Sequence, residues 1–156
     1  MLETTKINSY EELHQTLHAL LDGEQNRIAN LANASALLNI FLEDINWVGF
    51  YLYEEASNEL VLGPFQGLPA CVRIKPGNGV CGLAYHGNDV FVVEDVTEFP
   101  GHIACDAASR SEIVVPIYKD KVGIGVLDVD SSSYDRFSEA DRIGLIKFVE
   151  ILKEYI

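Results

Sequence analysis

The chain has 156 residues, 48% apolar and 22% charged, a balance that fits one globular domain and excludes a disordered or fibrous chain. Eleven Lys and Arg against 24 Asp and Glu leave a formal net charge of −13. That field repels phosphate, which argues against nucleic acid and against an anionic membrane as partners. The first ten residues are polar, with Glu3 and Lys6, and lack the blocks of a secretory leader. Ser9 and Glu12 form a capping box for a helix carrying Leu13, Leu17, Leu20 and Leu21, which Gly23 ends. A second helix is predicted from Glu24 to Phe41, with Ile28, Leu31, Ala32, Ser35 and Leu38 on one face. It holds the longest charge-free run, the fifteen residues Ile28 to Leu42. That is short of the ~20 needed to span a bilayer, so the run reads as a core helix or a subunit contact.

Asn46 to Tyr53 is rich in aromatic and β-branched residues and reads as a strand. Ser57-Asn58-Glu59 turns the chain into a returning strand, Leu60 to Phe65. Pro76-Gly77-Asn78-Gly79 interrupts, and Val80 to Tyr85 reads as a short helix. Val90 to Val93 is a strand. Asp95 to Arg110 shows no period, and a long irregular segment in so small a domain is a mark of function. Strands follow at Glu112 to Tyr118 and Val122 to Asp130, joined by Asp120-Lys121. Ser138 caps a last helix containing Ile143, Ile146, Val149, Ile151 and Leu152. Short connections between neighbouring strands imply an antiparallel sheet. The expected fold is α+β (α/β/α layers), one domain over residues 1–156, with the N- and C-terminal helices on one face.

Three cysteines, Cys71, Cys81 and Cys105, cannot all pair within one chain. Absent a leader, the expected compartment is cytoplasmic, where thiols stay reduced unless chemistry oxidises them. Cysteine is among the most buried residue types, so each could be an inert core thiol. Their settings differ from that. Cys81 falls near the start of the short helix, where backbone amides favour a thiolate. Cys105 falls in the irregular segment, three residues after His102. Cys71 precedes Arg73, which either supports a thiolate or is a solvated charge. Zinc is disfavoured, because nine and 23 residues separate successive cysteines where structural zinc prefers close pairs. His86 and His102 would be the extra ligands, and they read more simply as loop or surface residues. A Cys105–His102 hydrolytic pair rests on local spacing alone. At an ordinary pKa, about 3% of a thiol is ionised at pH 7, so a working cysteine here needs local help.

Glu112 opens one strand, while Asp128 and Asp130 close another, two apart and on one face. They are either a solvated strand end or a pocket that binds a cation such as an ammonium or passes a proton. Trp47 and Tyr51 share a strand face and could wall an apolar pocket.

The runs Asn46-Trp47-Val48-Gly49-Phe50-Tyr51, Gly77-x-Gly79-Val80-Cys81-Gly82, Phe99-Pro100-Gly101-His102-Ile103-Ala104-Cys105-Asp106, Ser111-Glu112-Ile113-Val114-Val115-Pro116 and Gly125-Val126-Leu127-Asp128-Val129-Asp130-Ser131, with Cys71, resemble the free methionine-(R)-sulfoxide reductases. That family is built on a GAF domain, and the resemblance covers residue 10 to the C-terminus. It implies Cys105 as nucleophile and Cys71 as the resolving thiol, with Cys81 as alternative or additional partner. It implies Glu112, Asp128 and Asp130 as the groups that hold substrate and manage its proton, and Trp47 and Tyr51 around the methyl end. It further implies free L-methionine (R)-sulfoxide as substrate, thioredoxin as reductant, no metal or other cofactor, and a homodimer. The chemistry is consistent, since a sulfenic acid condenses readily with a nearby thiol. The rival is a GAF sensor for a cyclic-nucleotide-like ligand. A phosphate would want a cation, and 156 residues leave no length for an output module. A third reading is a dimeric interaction module with inert cysteines.

Overall fold

The computed structural model describes residues 6–102 and 105–156. Glu3, Ile103 and Ala104 of the sequence reading lie outside the described residues. The elements run α1 (Tyr10–Leu21), α2 (Arg27–Phe41), β1 (Trp47–Glu54), β2 (Glu59–Gly67), β3 (Arg73–Ile74), α3 (Gly79–Gly87), β4 (Phe91–Val93), β5 (Ser111–Lys119), β6 (Val122–Ser131) and α4 (Glu139–Leu152). The strands form one sheet in the order β3-β2-β1-β6-β5-β4, each neighbouring pair antiparallel. Two tight turns make this arrangement local. Asp120 and Lys121 both take positive φ, the signature of a two-residue turn whose twist matches the strands it joins. Asn58, also at positive φ, lies in the β1–β2 connection. The pairing of β1 with β6 is long-range and closes the centre of the sheet.

Strand alternation then sorts side chains onto two faces. Val48, Phe50, Ile113, Val115, Leu127 and Val129 meet α1, α2 and α4 in one apolar core. Leu13, Leu17 and Leu21 are the stripe that α1 presents to it, and all three are fully buried. Trp47, Tyr51, Val114 and Val126 point the other way and meet α3 through Val80, Cys81, Ala84 and Tyr85. The layers are therefore α/β/α, with the N- and C-terminal helices on one face as expected.

Three details differ from the sequence reading. Ser9 Oγ accepts from the Glu12 amide, but the Glu12 carboxylate takes the amide of Asn8. The reciprocal box forms instead between Ser138 and Asp141 at α4. Helix α2 starts at Arg27, because Asn26 is its cap and the Glu24 carboxylate holds the Gln25 and Asn26 amides. Its buried face is Asn30, Leu31, Ala34, Ser35, Leu37 and Leu38, while Ile28 is 58% exposed and Ala32 is exposed too. A buried Asn30 is tolerated since its Nδ2 donates to the carbonyls of Glu24 and Tyr155. Finally, β3 was not anticipated, two residues being too short to carry a period. Among the described residues no helix is long and apolar enough to cross a membrane.

Candidate active site

Residues directly opposite on antiparallel strands share a face. Trp47 on β1 lies opposite Asp130 on β6, which lies opposite Glu112 on β5. One step along, Gly49 lies opposite Asp128, and Asp128 opposite Val114. Register alone therefore gathers three carboxyls and an indole on the face away from α1, α2 and α4. Tyr51 extends the aromatic wall, its ring 5.9 Å from that of Trp47. Phe65 also stacks with Trp47, at 5.2 Å. Gly49 makes room for this, because a Cβ there would collide with the Phe65 side chain.

The aromatic wall also fastens what lies above it. Trp47 Nε1 donates to the Leu68 carbonyl at 3.2 Å, and the Tyr51 hydroxyl donates to the Cys71 carbonyl at 2.9 Å. On the far side Asn46 Nδ2 donates to Asp106 Oδ2 at 2.9 Å and to Ser109 Oγ at 3.1 Å. These contacts bring the segments carrying Cys71 and Cys105 together, and the two cysteines form a disulfide with Cα atoms 5.4 Å apart. Below it lies a cleft of about 550 Å³, part of it open to solvent. Trp47, Tyr51, Cys81, Cys105, Glu112, Asp128 and Asp130 all line it. The residues that the resemblance assigns to catalysis and substrate binding are thus at this cleft or, for Cys71, bonded across its rim.

Burial dominates the electrostatics of the floor. It pushes the Glu112 carboxyl up to about 8, helped by the charge of Asp130. It raises Asp128 well above the usual range, with Glu112 adding to the effect. Asp130 is raised by burial, then by Asp128 and Asp106. A solvated strand end would show none of this. Among the described residues Asp128 Oδ1 has no hydrogen-bond partner, an uncommon state for a buried oxygen. His102 Nε2 stands 3.7 Å from Glu112 Oε2, and burial lowers its pKa, which favours the uncharged ring. His102 turns to Glu112; the hydrogen bonds of the described residues include none between it and Cys105.

One expectation is overturned. Cys81 is not a helix-start thiolate. It is buried inside the first turn of α3, 3.9 Å from Glu112 Oε1, and burial followed by Asp128 and Glu112 pushes its thiol up. The amides of that turn are outweighed by desolvation and by two acids. Of the two readings of Arg73, the structure favours the solvated charge: it pairs with Glu54 at 2.9 Å on the surface. For metals, Cys81, Glu112 and Asp128 offer donor atoms within 4.8 Å of one another, the one such group among the described residues. His86, weighed from sequence as a ligand, is exposed in the last turn of α3. Sequence reasoning missed Asp106, Ser109 and the rim residues Leu68 to Ala70. Asp106 was detectable as the neighbour of Cys105; the others carry no local signal.

An antiparallel sheet with three helices on one face and a thiol-rimmed, acid-floored cleft on the other is a GAF domain adapted to redox chemistry, and the GAF domain family matches residues 33–150. The free methionine-R-sulfoxide reductase of Escherichia coli K12 is 52% identical over 151 residues, 97% of this chain and 90% of that one. The reduced structure of the Staphylococcus aureus fRMsr superposes with a TM-score of 0.91 at 51% identity, covering 99% of each chain. The Neisseria meningitidis free methionine-R-sulfoxide reductase, solved in complex with its substrate, superposes at 0.93 with 43% identity, covering 99% of this chain and 95% of that one. The chain belongs to the free methionine-R-sulfoxide reductase family.

Proposed function

We propose that this chain, acting as one catalytic domain, reduces free L-methionine (R)-sulfoxide to L-methionine with its own thiols and is recharged by thioredoxin. The observation that carries this reading is the Cys71–Cys105 disulfide set across the mouth of a cleft floored by Glu112, Asp128 and Asp130. It is the state in which such a catalytic cycle ends.

The cycle starts with both cysteines reduced. Cys105 Sγ attacks the sulfoxide sulfur while the oxygen takes a proton. Methionine leaves, and Cys105 carries the oxygen as a sulfenic acid. The Cys71 thiol attacks that sulfur, water departs, and the disulfide forms. A carboxyl still protonated at neutral pH can donate to the sulfoxide oxygen, and Glu112, raised to about 8, meets that requirement. The substrate ammonium suits the partnerless Asp128 oxygen and its neighbour Asp130. Its carboxylate suits the start of α3, where Asn78 supplies no side-chain cap and the first amides have no partner within the helix. Recognising both charged ends selects the free amino acid over a peptide. Trp47 and Tyr51 enclose the methyl end.

The cyclic-nucleotide reading fits less well. Neither Lys nor Arg is among the described residues lining the cleft, and a phosphate there would face three acids. The proposed setting is the cytoplasm under oxidative stress, with no nucleic acid or membrane partner and no metal. A homodimer is supported by the outer side of α2, where Ile28 and Ile40 are 58% and 68% exposed on a charge-free stretch.

The test is direct. Incubation with free methionine (R)-sulfoxide and dithiothreitol should yield methionine, the S epimer little. Cys105→Ser should lower the yield by at least ~10³-fold, the scale on which loss of an attacking group is felt. No methionine from the unmodified protein would overturn the reading.

A further inference from the structure

Acidic residues fill this chain, yet none occurs from Leu60 to Asn88, a stretch of twenty-nine residues (60–88) that contains Arg73 and Lys75. Cys71 lies in its middle. Leu68 and Val72, three residues before Cys71 and one after, are 65% and 61% exposed. Their backbone is nonetheless fixed: the Leu68 and Cys71 carbonyls accept from Trp47 and Tyr51, and the Val72 carbonyl accepts from the Leu62 amide at 2.9 Å. Two large apolar side chains are thus held out in water on a rigid rim, against the cost of exposing them. Lys75 is exposed and takes part in no ion pair among the described residues, whereas Arg73 is engaged by Glu54. The rim is therefore apolar, carries free positive charge, and has the disulfide in it.

We propose that the Leu68–Val72 rim, with Lys75 beside it, is the docking face for the acidic dithiol protein that reduces the disulfide, and that this partner attacks Cys71. This rests on the reductase reading above and goes beyond it to a surface and a sulfur. The occupant follows from chemistry, because a disulfide on a surface is opened by a thiolate that reaches it. Cys71 and Cys105 are both half-buried, but Cys105 lines the cleft, whereas Cys71 is outside that lining and next to the exposed Val72, so an approach from the rim leads to Cys71. In the step itself the partner thiolate attacks Cys71 Sγ and the Cys71–Cys105 bond breaks. Its electron pair leaves on Cys105 Sγ, which takes up a proton. The partner's second thiol then attacks the intermolecular bond and frees Cys71 as a thiol. The partner ends as a disulfide, and Cys71 and Cys105 have gained both electrons and both protons.

Turnover of free methionine (R)-sulfoxide should be measured with thioredoxin, kept reduced by its reductase and NADPH, and separately with dithiothreitol. Val72→Ser and Lys75→Glu should each raise KM for thioredoxin about fivefold, the scale of one rim contact. Both should leave the dithiothreitol rate and KM for the sulfoxide unchanged. Added salt should raise KM for thioredoxin in the unmodified protein and less in Lys75→Glu. An unchanged KM for thioredoxin in both variants, or an equal loss with dithiothreitol, overturns the docking face. A thioredoxin with its second cysteine replaced by serine should be captured on the oxidised protein, and peptide mapping should place the bond on Cys71. A bond on Cys105 overturns the choice of sulfur. Capture needs no sulfoxide, so failure to turn over methionine sulfoxide would count against the reductase reading alone.

Discussion

The two faces of the sheet follow opposite rules. On the side of α1, α2 and α4, the sheet residues are Val, Ile, Leu and Phe, and Leu13, Leu17, Leu38, Leu127 and Phe148 are fully buried. On the side of α3, the same strands bury Glu112 and Asp128 beside the free thiol of Cys81, with Asp130 half-buried next to them. One face stabilises the fold through removal of apolar area from water. The other spends some of that stability, because buried carboxyls without partners favour the unfolded chain. The strands are continuous through both, so the division lies in which alternate positions carry which chemistry.

The largest effect should follow from damage to the first face. Phe148→Ala should destabilise the protein by about 3–5 kcal/mol, the usual result for emptying a buried phenyl site. Chemical denaturation of the reduced protein checks this. The fraction still folded should keep its KM for the sulfoxide, since Phe148 belongs to the apolar core and not to the cleft. A raised KM in that fraction would mean that the faces are coupled and the division is not real.

Much of the first face was legible before any coordinates. Leu13, Leu17 and Leu21 announce α1 at helical spacing, and the aromatic and β-branched residues along Asn46 to Tyr53 announce β1. Where the reading slipped, a polar group was the reason. Counting apolar residues put Ile28 and Ala32 on the buried side of α2. A satisfied Asn30 and the tail carbonyl of Tyr155 rotate that helix instead. On the second face, the residue types were legible and their states were not. Asp128 and Asp130 at a spacing of two declare a shared side, but no sequence says whether that side is wet. The pairing of β1 with β6 decides it, and that contact spans about half of the chain. Likewise Cys81 looked activated from its place at a helix start, and burial, followed by the acids brought in from β5 and β6, reverses the sign.

The next effect is a pH dependence from the cleft. In the unfolded chain Glu112 loses its proton near 4.5, and in the folded protein near about 8. The folded state therefore holds the extra proton between these values, and its stability from this group falls as pH rises through about 8. Asp128 and Asp130 shift in the same direction. His102, lowered from 6.5, acts oppositely below that value, so the window between pH 6.5 and about 8 isolates the acids. Thermal melts should show a Tm that drops across this window. Glu112→Gln should flatten the drop, and saturating methionine should reduce it by bringing an ammonium to the acids. A Tm that rises across the window in the unmodified protein would contradict a buried, protonated floor.

The smallest effect concerns Asn46, which stands where the two faces meet at the start of β1. Its backbone amide donates to the Asp130 carbonyl at 2.9 Å, and its side-chain amide holds Asp106 and Ser109. It thereby ties the segment carrying Cys105 to the strand edge beside the acids. Asn46 Oδ1 is buried without a partner among the described residues, so the amide is kept for its donor, at some cost to its acceptor. Asn46→Ala should release the segment and cost about 1 kcal/mol of stability, the net scale of such bonds. Because the released residues carry Cys105, kcat with dithiothreitol should fall about fivefold while KM for the sulfoxide holds, the acids and aromatics being in place. Asn46→Asp loses the donor and adds another buried acid, so it should do worse than alanine. If Asp equals the unmodified protein, the tether has been assigned to the wrong atom.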